Sequence, residues 1–147
     1  MKNIVITGAG SGIGKETAQY FLKNGYLVAL LGRRKSTLSE AAKNHKNAMI
    51  ITCDISKYQQ VKKSFTKIYK KWKKIDILFN NAGITTKAKT IDEIPIKEWV
   101  KSVNINLIGS FYCTREAFKI MRIQRPKGGR IINNGSISSH SPRPFSS

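Results

Sequence analysis

Short apolar runs recur along the chain: Ile4-Val5-Ile6, Leu27-Val28-Ala29-Leu30-Leu31, Ala48-Met49-Ile50-Ile51-Thr52, Ile75-Asp76-Ile77-Leu78-Phe79 and, after Gly128-Gly129, Ile131-Ile132. Nearly continuous runs of this length fit parallel strands covered on both faces. Amphipathic stretches separate them. Residues 11–24 predict a first helix with Ile13, Thr17, Tyr20, Phe21 and Leu22 on its buried side, stopped by Asn24-Gly25. Residues 36–44 predict a second, with Ser36 near its cap. Residues 57–74 predict a long one, because Val61, Phe65, Ile68 and Trp72 recur at helical spacing. Residues 85–95 read as a loop, and 96–125 as a long helical stretch broken near 102–106. Strands alternating with helices make this an α/β chain built on a doubly wound parallel sheet.

Between the first run and the first helix lies Thr7-Gly8-Ala9-Gly10-Ser11-Gly12-Ile13-Gly14. Strand, glycine-rich turn and helix open a dinucleotide-binding βαβ unit. Gly8 lets the chain turn sharply off the strand. Gly12 lacks a Cβ, so the backbone can approach a pyrophosphate, and Gly14 lets the helix pack tightly on the strand. The helix start offers free N–H groups and a partial positive charge to phosphates. The spacing is Gly8-x-x-x-Gly12-x-Gly14, with Gly10 as an extra. For this octet alone, an ordinary strand–helix loop is the alternative.

Gly32-Arg33-Arg34 follows the second run, where an NAD site would carry a carboxylate for the adenosine ribose. A carboxylate would repel a 2′-phosphate, whereas an arginine binds it through a charge-assisted fork. NADP(H) is therefore preferred, with NAD(H) the second option. Arg33 is the better phosphate contact, and Arg34 is placed to stack on adenine; the alternative is that they face water. Asp54 ends the third run, as a ligand contact or as a helix cap shared with Ser56.

Composition narrows the class. The chain has 147 residues, 40% hydrophobic, enough for one compact domain over 1–147. No apolar run approaches the ~20 residues of a membrane-spanning helix. The N-terminus enters a strand directly, so no signal peptide is expected, and the two cysteines suit an expected cytoplasmic setting. Cys53 and Cys113 are expected as small, reduced, buried residues. Lys and Arg number 27 against 8 acids, a net of +19. The excess is mostly lysine and dispersed along the chain. Lys62, Lys63, Lys67, Lys70, Lys71, Lys73 and Lys74 coat one helix. A solvated bias explains this better than a specific nucleic-acid site or a membrane-binding helix.

The octet resembles the T-G-x-x-x-G-I-G signature of the short-chain dehydrogenase/reductase family, and three further motifs follow in order. Asn80-Asn81-Ala82-Gly83 resembles the N-N-A-G element. In the family it supports the central sheet and contacts the cofactor ribose, which implies that role for Asn81, Ala82 and Gly83. Trp99-Val100-x-x-Val103-x-x-Asn106-Leu107-x-Gly109-x-Phe111 resembles a helix pattern of the family. Asn106 then matches the Asn of the catalytic tetrad, which helps hold a water linked to the catalytic Lys. Asn104 is the competing candidate, and kink stabilisation the alternative role. The fifth strand, in Gly128-Gly129-Arg130-Ile131-Ile132-Asn133-Asn134-Gly135-Ser136, resembles the one that ends on the tetrad Ser. Ser136 matches it, with Ser138 and Ser139 as fallbacks and His140 a loop residue in a Ser- and Pro-rich stretch.

The resemblance implies a Rossmann-type sheet in the order 3-2-1-4-5. The pyrophosphate would lie on Gly8, Gly10, Ser11, Gly12, Ile13 and Gly14, and the adenine on Asp54 and the backbone of Ile55. It implies oxidoreduction of a small alcohol or carbonyl, with no metal. The family reaction also uses a Tyr-x-x-x-Lys pair beyond the tetrad Ser, the Tyr as general acid or base with its pKa lowered by the Lys. Residues 137–147 contain neither Tyr nor Lys. Two outcomes are expected: a portion of a longer reductase ending before strands six and seven, or a non-catalytic dinucleotide-binding remnant. A basic polyanion-binding protein is the remaining rival. Residues 101–125 resemble one helix of the pair through which family members oligomerise, so a homo-oligomer is expected of the full form. An uncovered fifth strand is expected to favour aggregation.

Overall fold

In the computed structural model, which describes residues 1–86 and 89–141, five strands form one sheet. They are β1 (Asn3–Thr7), β2 (Leu27–Gly32), β3 (Ala48–Thr52), β4 (Ile77–Asn80) and β5 (Arg130–Asn133). The order is β3-β2-β1-β4-β5 and every pairing is parallel. The expected order is borne out. Two positions of the 85–95 loop, and the Ser- and Pro-rich stretch past 141, lie outside the described residues.

Alternate strand residues feed two cores. Ile4, Ile6, Val28 and Leu30 pack with Ala18 and Leu22 of α1 (Gly12–Lys23) and Leu38, Ala41 and Ala42 of α2 (Lys35–Ala42). Val5, Ala29, Leu31, Met49, Ile51 and Leu78 pack on the other face. There they meet Val61, Phe65 and Ile68 of α3 (Tyr58–Trp72) and Cys113, Ala117, Ile120 and Met121 of α5 (Ser110–Ile123). This layering explains the runs: a parallel strand covered on both sides has no polar alternation. Cys53 and Cys113 are buried in the second core, and burial pushes both thiols up.

Several local expectations are corrected. Ile13 and Tyr20 are 63% and 64% exposed; α1 buries Leu22 as expected, together with Gly14 and Ala18. Small residues are needed there because α1 presses against the turn that feeds it. Helix α2 starts at Lys35, so Ser36 lies inside its first turn and Arg34 holds the cap position. Ser56 does not cap α3, where Lys57 stands. Strand β4 starts at Ile77, because Asp76 is engaged by Asn3, whose N–H donates to Asp76 Oδ2 at 2.8 Å. Strand β5 ends at Asn133, short of Ser136.

The expected helical break is real. Helix α4 (Ile96–Val103) passes through a π-helical segment, Asn104–Gly109, into α5. No helix among the described residues is long and apolar enough to cross a membrane. Among the same residues no cluster of His, Cys, Asp and Glu could hold a metal.

Candidate functional site

A cleft of about 1140 Å³ opens at the C-terminal ends of the strands. It sits where the order reverses between β1 and β4, which is where open α/β sheets bind ligands. The cleft gathers almost every residue singled out from the sequence: Gly8, Gly10, Ser11, Ile13, Arg33, Arg34, Asp54, Ile55, Asn81, Ala82, Gly83, Asn106 and Ser136. Gly12 and Gly14 flank it within the same turn. Asn104, Ser138, Ser139 and His140 are not part of its lining.

The glycine-rich turn is built from close approaches. Gly8 has φ +65°, and a Cβ there would lie 2.9 Å from Ala82 Cα. A Cβ on Gly14 would lie 2.3 Å from Gly8 O and 2.6 Å from Asn81 Nδ2. On Gly10 it would meet Thr37 Oγ1 at 2.5 Å. Gly12 differs: its φ is +50° and nothing lies within 4 Å of its Cβ position. Its backbone is therefore bare toward open space, as a closely approaching ligand requires. Ser11 occupies the cap position of α1 without a side-chain cap bond. The first-turn N–H groups of that helix are thus left for an anion.

The Asn80-Asn81-Ala82-Gly83 segment fastens to this turn. Thr7 Oγ1 accepts from the N–H groups of Asn81 and Ala82, each at 3.0 Å. Asn81 Nδ2 donates to Thr7 O at 3.1 Å. Asn80 is buried and its Nδ2 donates to Thr114 Oγ1 and to Asn133 Oδ1, both at 3.0 Å. Its Oδ1 lacks a partner among the described residues. The amide of Asn134 donates to Asn80 O at 2.9 Å, and Asn134 Nδ2 to Asn81 Oδ1 at 3.0 Å.

At the far end, Arg33 and Arg34 are exposed at the mouth of the cleft. Neither forms an ion pair among the described residues. Thr37, from the first turn of α2, donates to Arg34 O at 3.1 Å. Asp54 is half-buried; its Oδ1 accepts from Ser56 N–H at 3.0 Å and from the Ser56 hydroxyl at 2.7 Å. This is a local turn at the strand end and caps no helix. A Cβ on Gly109 would strike Ile55 at 2.8 Å, so that glycine lets the π segment reach the same loop.

Asn106 clamps Ile84 with both ends of its carboxamide. Oδ1 accepts from Ile84 N–H at 2.9 Å, and Nδ2 donates to Ile84 O at 2.8 Å. A third bond runs from Nδ2 to Ser102 Oγ at 3.3 Å. The π turn places this side chain toward the loop after β4, and such single-turn widenings recur at functional sites. Ser136 is exposed on the cleft wall, and its Oγ accepts from Ser138 N–H at 3.1 Å within a 3₁₀ turn (Ile137–Ser139). Thr37, Thr114, Asn133 and Asn134 also border the site. Their places follow from how the elements pack together and carry no spacing signal in the sequence.

The family model for short chain dehydrogenase matches residues 2–147. The curated 3beta-hydroxysteroid dehydrogenase of Mediterraneibacter gnavus is 34% identical over 141 residues, covering 93% of this chain and 50% of its own. A crystal structure of 3-ketoacyl-(acyl-carrier-protein) reductase from Brucella melitensis, complexed with NADH, matches with a TM-score of 0.93 at 31% identity. That match covers 98% of this chain and 60% of the reductase. ElxO with NADP bound matches with a TM-score of 0.89 at 33% identity, covering 99% of this chain and 59% of ElxO. The chain thus spans about half the length of the curated relatives it matches.

Proposed function

The chain belongs to the short-chain dehydrogenase family, and from that premise we propose that its cleft binds NADP(H) and serves the interconversion of a small alcohol and its carbonyl. The observation that carries this reading is the pairing of a bare Gly12 and an uncapped α1 start with two ion-pair-free arginines at the other end of the cleft. The first suits a diphosphate. The second suits a 2′-phosphate, and no carboxylate stands between Gly32 and Thr37 to repel it. NAD(H) is the weaker candidate on the same grounds.

When bound, the nicotinamide supplies the hydride. The chain's own residues hold and orient. Gly8, Gly10, Ser11, Gly12, Ile13 and Gly14 take the diphosphate, Arg33 the 2′-phosphate, and Arg34 the adenine face. Asp54 and Ile55 border the adenine, and Asn81, Ala82 and Gly83 a ribose. Ser136 presents a hydroxyl to the cleft and would hydrogen-bond the substrate oxygen. Asn106 fixes the loop after β4 through Ile84. No tyrosine or lysine follows Ser136 within residues 137–147. The role proposed for residues 1–147 is therefore dinucleotide binding and the presentation of Ser136. Leu107, Phe111 and Phe118, exposed on the π segment and α5, would meet a second copy.

Titration with NADPH, followed by nicotinamide fluorescence, tests the cleft. Saturable binding is expected, weakened about tenfold or more by Gly12→Asp, which sets a carboxylate against a phosphate. If Gly12→Asp leaves binding unchanged while nucleic-acid affinity is high and collapses with salt, the basic surface and not the cleft is the binding site.

A further inference from the structure

Strand β5 is an edge strand, and only Ile131 in it is better than exposed. The last ladder bond runs from Asn134 N–H to Asn80 O at 2.9 Å. Beyond it comes Gly135, with nothing within 4 Å of its Cβ position, and then Ser136. Among the described residues the hydrogen bonds of Ser136 stay inside its own turn: Oγ accepts from Ser138 N–H at 3.1 Å and the carbonyl accepts from Ser139. None of these bonds reaches the glycine-rich turn across the cleft.

Asn134 supplies the connection. Its Nδ2 donates to Asn81 Oδ1 at 3.0 Å. The Asn81 carboxamide is itself wedged beneath the glycine-rich turn. Its Nδ2 donates to Thr7 O at 3.1 Å and lies 2.6 Å from the place a Gly14 Cβ would take. Thr7 O can only accept, so Asn81 must present its NH₂ there and its oxygen to Asn134. Asn134 must then present its own NH₂. The orientation of both amides follows from one backbone carbonyl.

We propose that Asn134 is a positioning residue: through Asn81 it ties the Ser136 segment to the glycine-rich turn, so that a dinucleotide seated on the turn steadies Ser136. The proposal rests on the cofactor reading above and on Ser136 as the residue facing substrate. Coupling of this kind is reciprocal: whatever the dinucleotide gains in steadying Asn134, the tie returns to dinucleotide affinity.

The test uses the chain as it stands, with hydrogen exchange resolved over 130–139 and NADPH titrations. Asn134→Leu removes the donor at similar size, and Asn134→Asp keeps the shape while facing oxygen to oxygen. Asn134 is exposed and its ladder bond is backbone, so both variants keep the fold. In the unaltered chain NADPH is expected to slow exchange at 134–138. Both variants are expected to lose about fivefold of that slowing, the weight of one hydrogen bond, and to bind NADPH more weakly by a similar factor. In an Asn81→Ala background, Asn134→Leu is expected to add nothing. Retained slowing in the variants, or additive effects in the double variant, overturns this proposal alone. An unaltered chain that binds no NADPH overturns it together with the cofactor reading.

Discussion

At the scale of single residues, the glycines around the cleft answer to different constraints. Gly14 is required by contact, because its Cβ would fall inside both Gly8 O and Asn81 Nδ2. Gly135 meets nothing within 4 Å. Gly14→Ala is therefore expected to destabilise the chain by about 1–3 kcal/mol, as overpacking does, and Gly135→Ala by less than about 0.5 kcal/mol. Urea denaturation of the two variants checks both values. The sequence made Gly14's closeness to the strand legible. It left out what fills the space, since Asn81 lies far along the chain and the sheet alone brings it there. Asn134 is the clearer case: 53 positions separate it from Asn81, and no local pattern marks it.

At the scale of elements, α3 and α5 are joined by a buried carboxylate. Glu116 Oε1 accepts from Tyr58 OH at 2.9 Å, Lys119 Nζ at 2.8 Å and Arg115 Nη1 at 3.1 Å. Arg115 also bonds Tyr58 OH and lies 5.4 Å from its ring centroid. Burial pushes the Glu116 carboxyl up. Hydrogen bonds from Lys119 and Tyr58, with the charges of Lys119 and Arg115, outweigh it, so the group titrates below the usual range. A lowered folded pKa means stability that is present above the ordinary carboxylate value and lost as pH falls through the folded one. Glu116→Gln is expected to cost about 1–2 kcal/mol at pH 7. The difference should narrow as pH falls below the ordinary carboxylate range and through the lowered folded value, measured as denaturation midpoints across pH. Helix spans were largely legible from periodicity, and the break before α5 from an Asn and a Gly inside a helical stretch. The buried face of α1 was not. Large apolar residues suggested Ile13 and Tyr20, but the close approach of helix to turn selects Gly14 and Ala18.

At the scale of the whole molecule, the doubly wound order and the cleft at its switch point follow from alternation of buried strands and amphipathic helices. The chain also carries exposed apolar surface on α5 and an open β5 edge. Sedimentation velocity is expected to show self-association that Phe111→Glu with Phe118→Glu reduces. A monomer unaffected by both changes would remove the case for that face as an interface. The net charge of +19 does not by itself choose a ligand, because it is dispersed along the chain. In the proposed reading, the arginines at the cleft mouth favour a 2′-phosphate. Parallel titrations of the unaltered chain with NADPH and NADH test the central claim most directly. NADPH is expected to bind about tenfold or more tighter, with Arg33→Ala removing most of that difference. Equal affinities, tighter NADH binding, or no binding of either dinucleotide would contradict it.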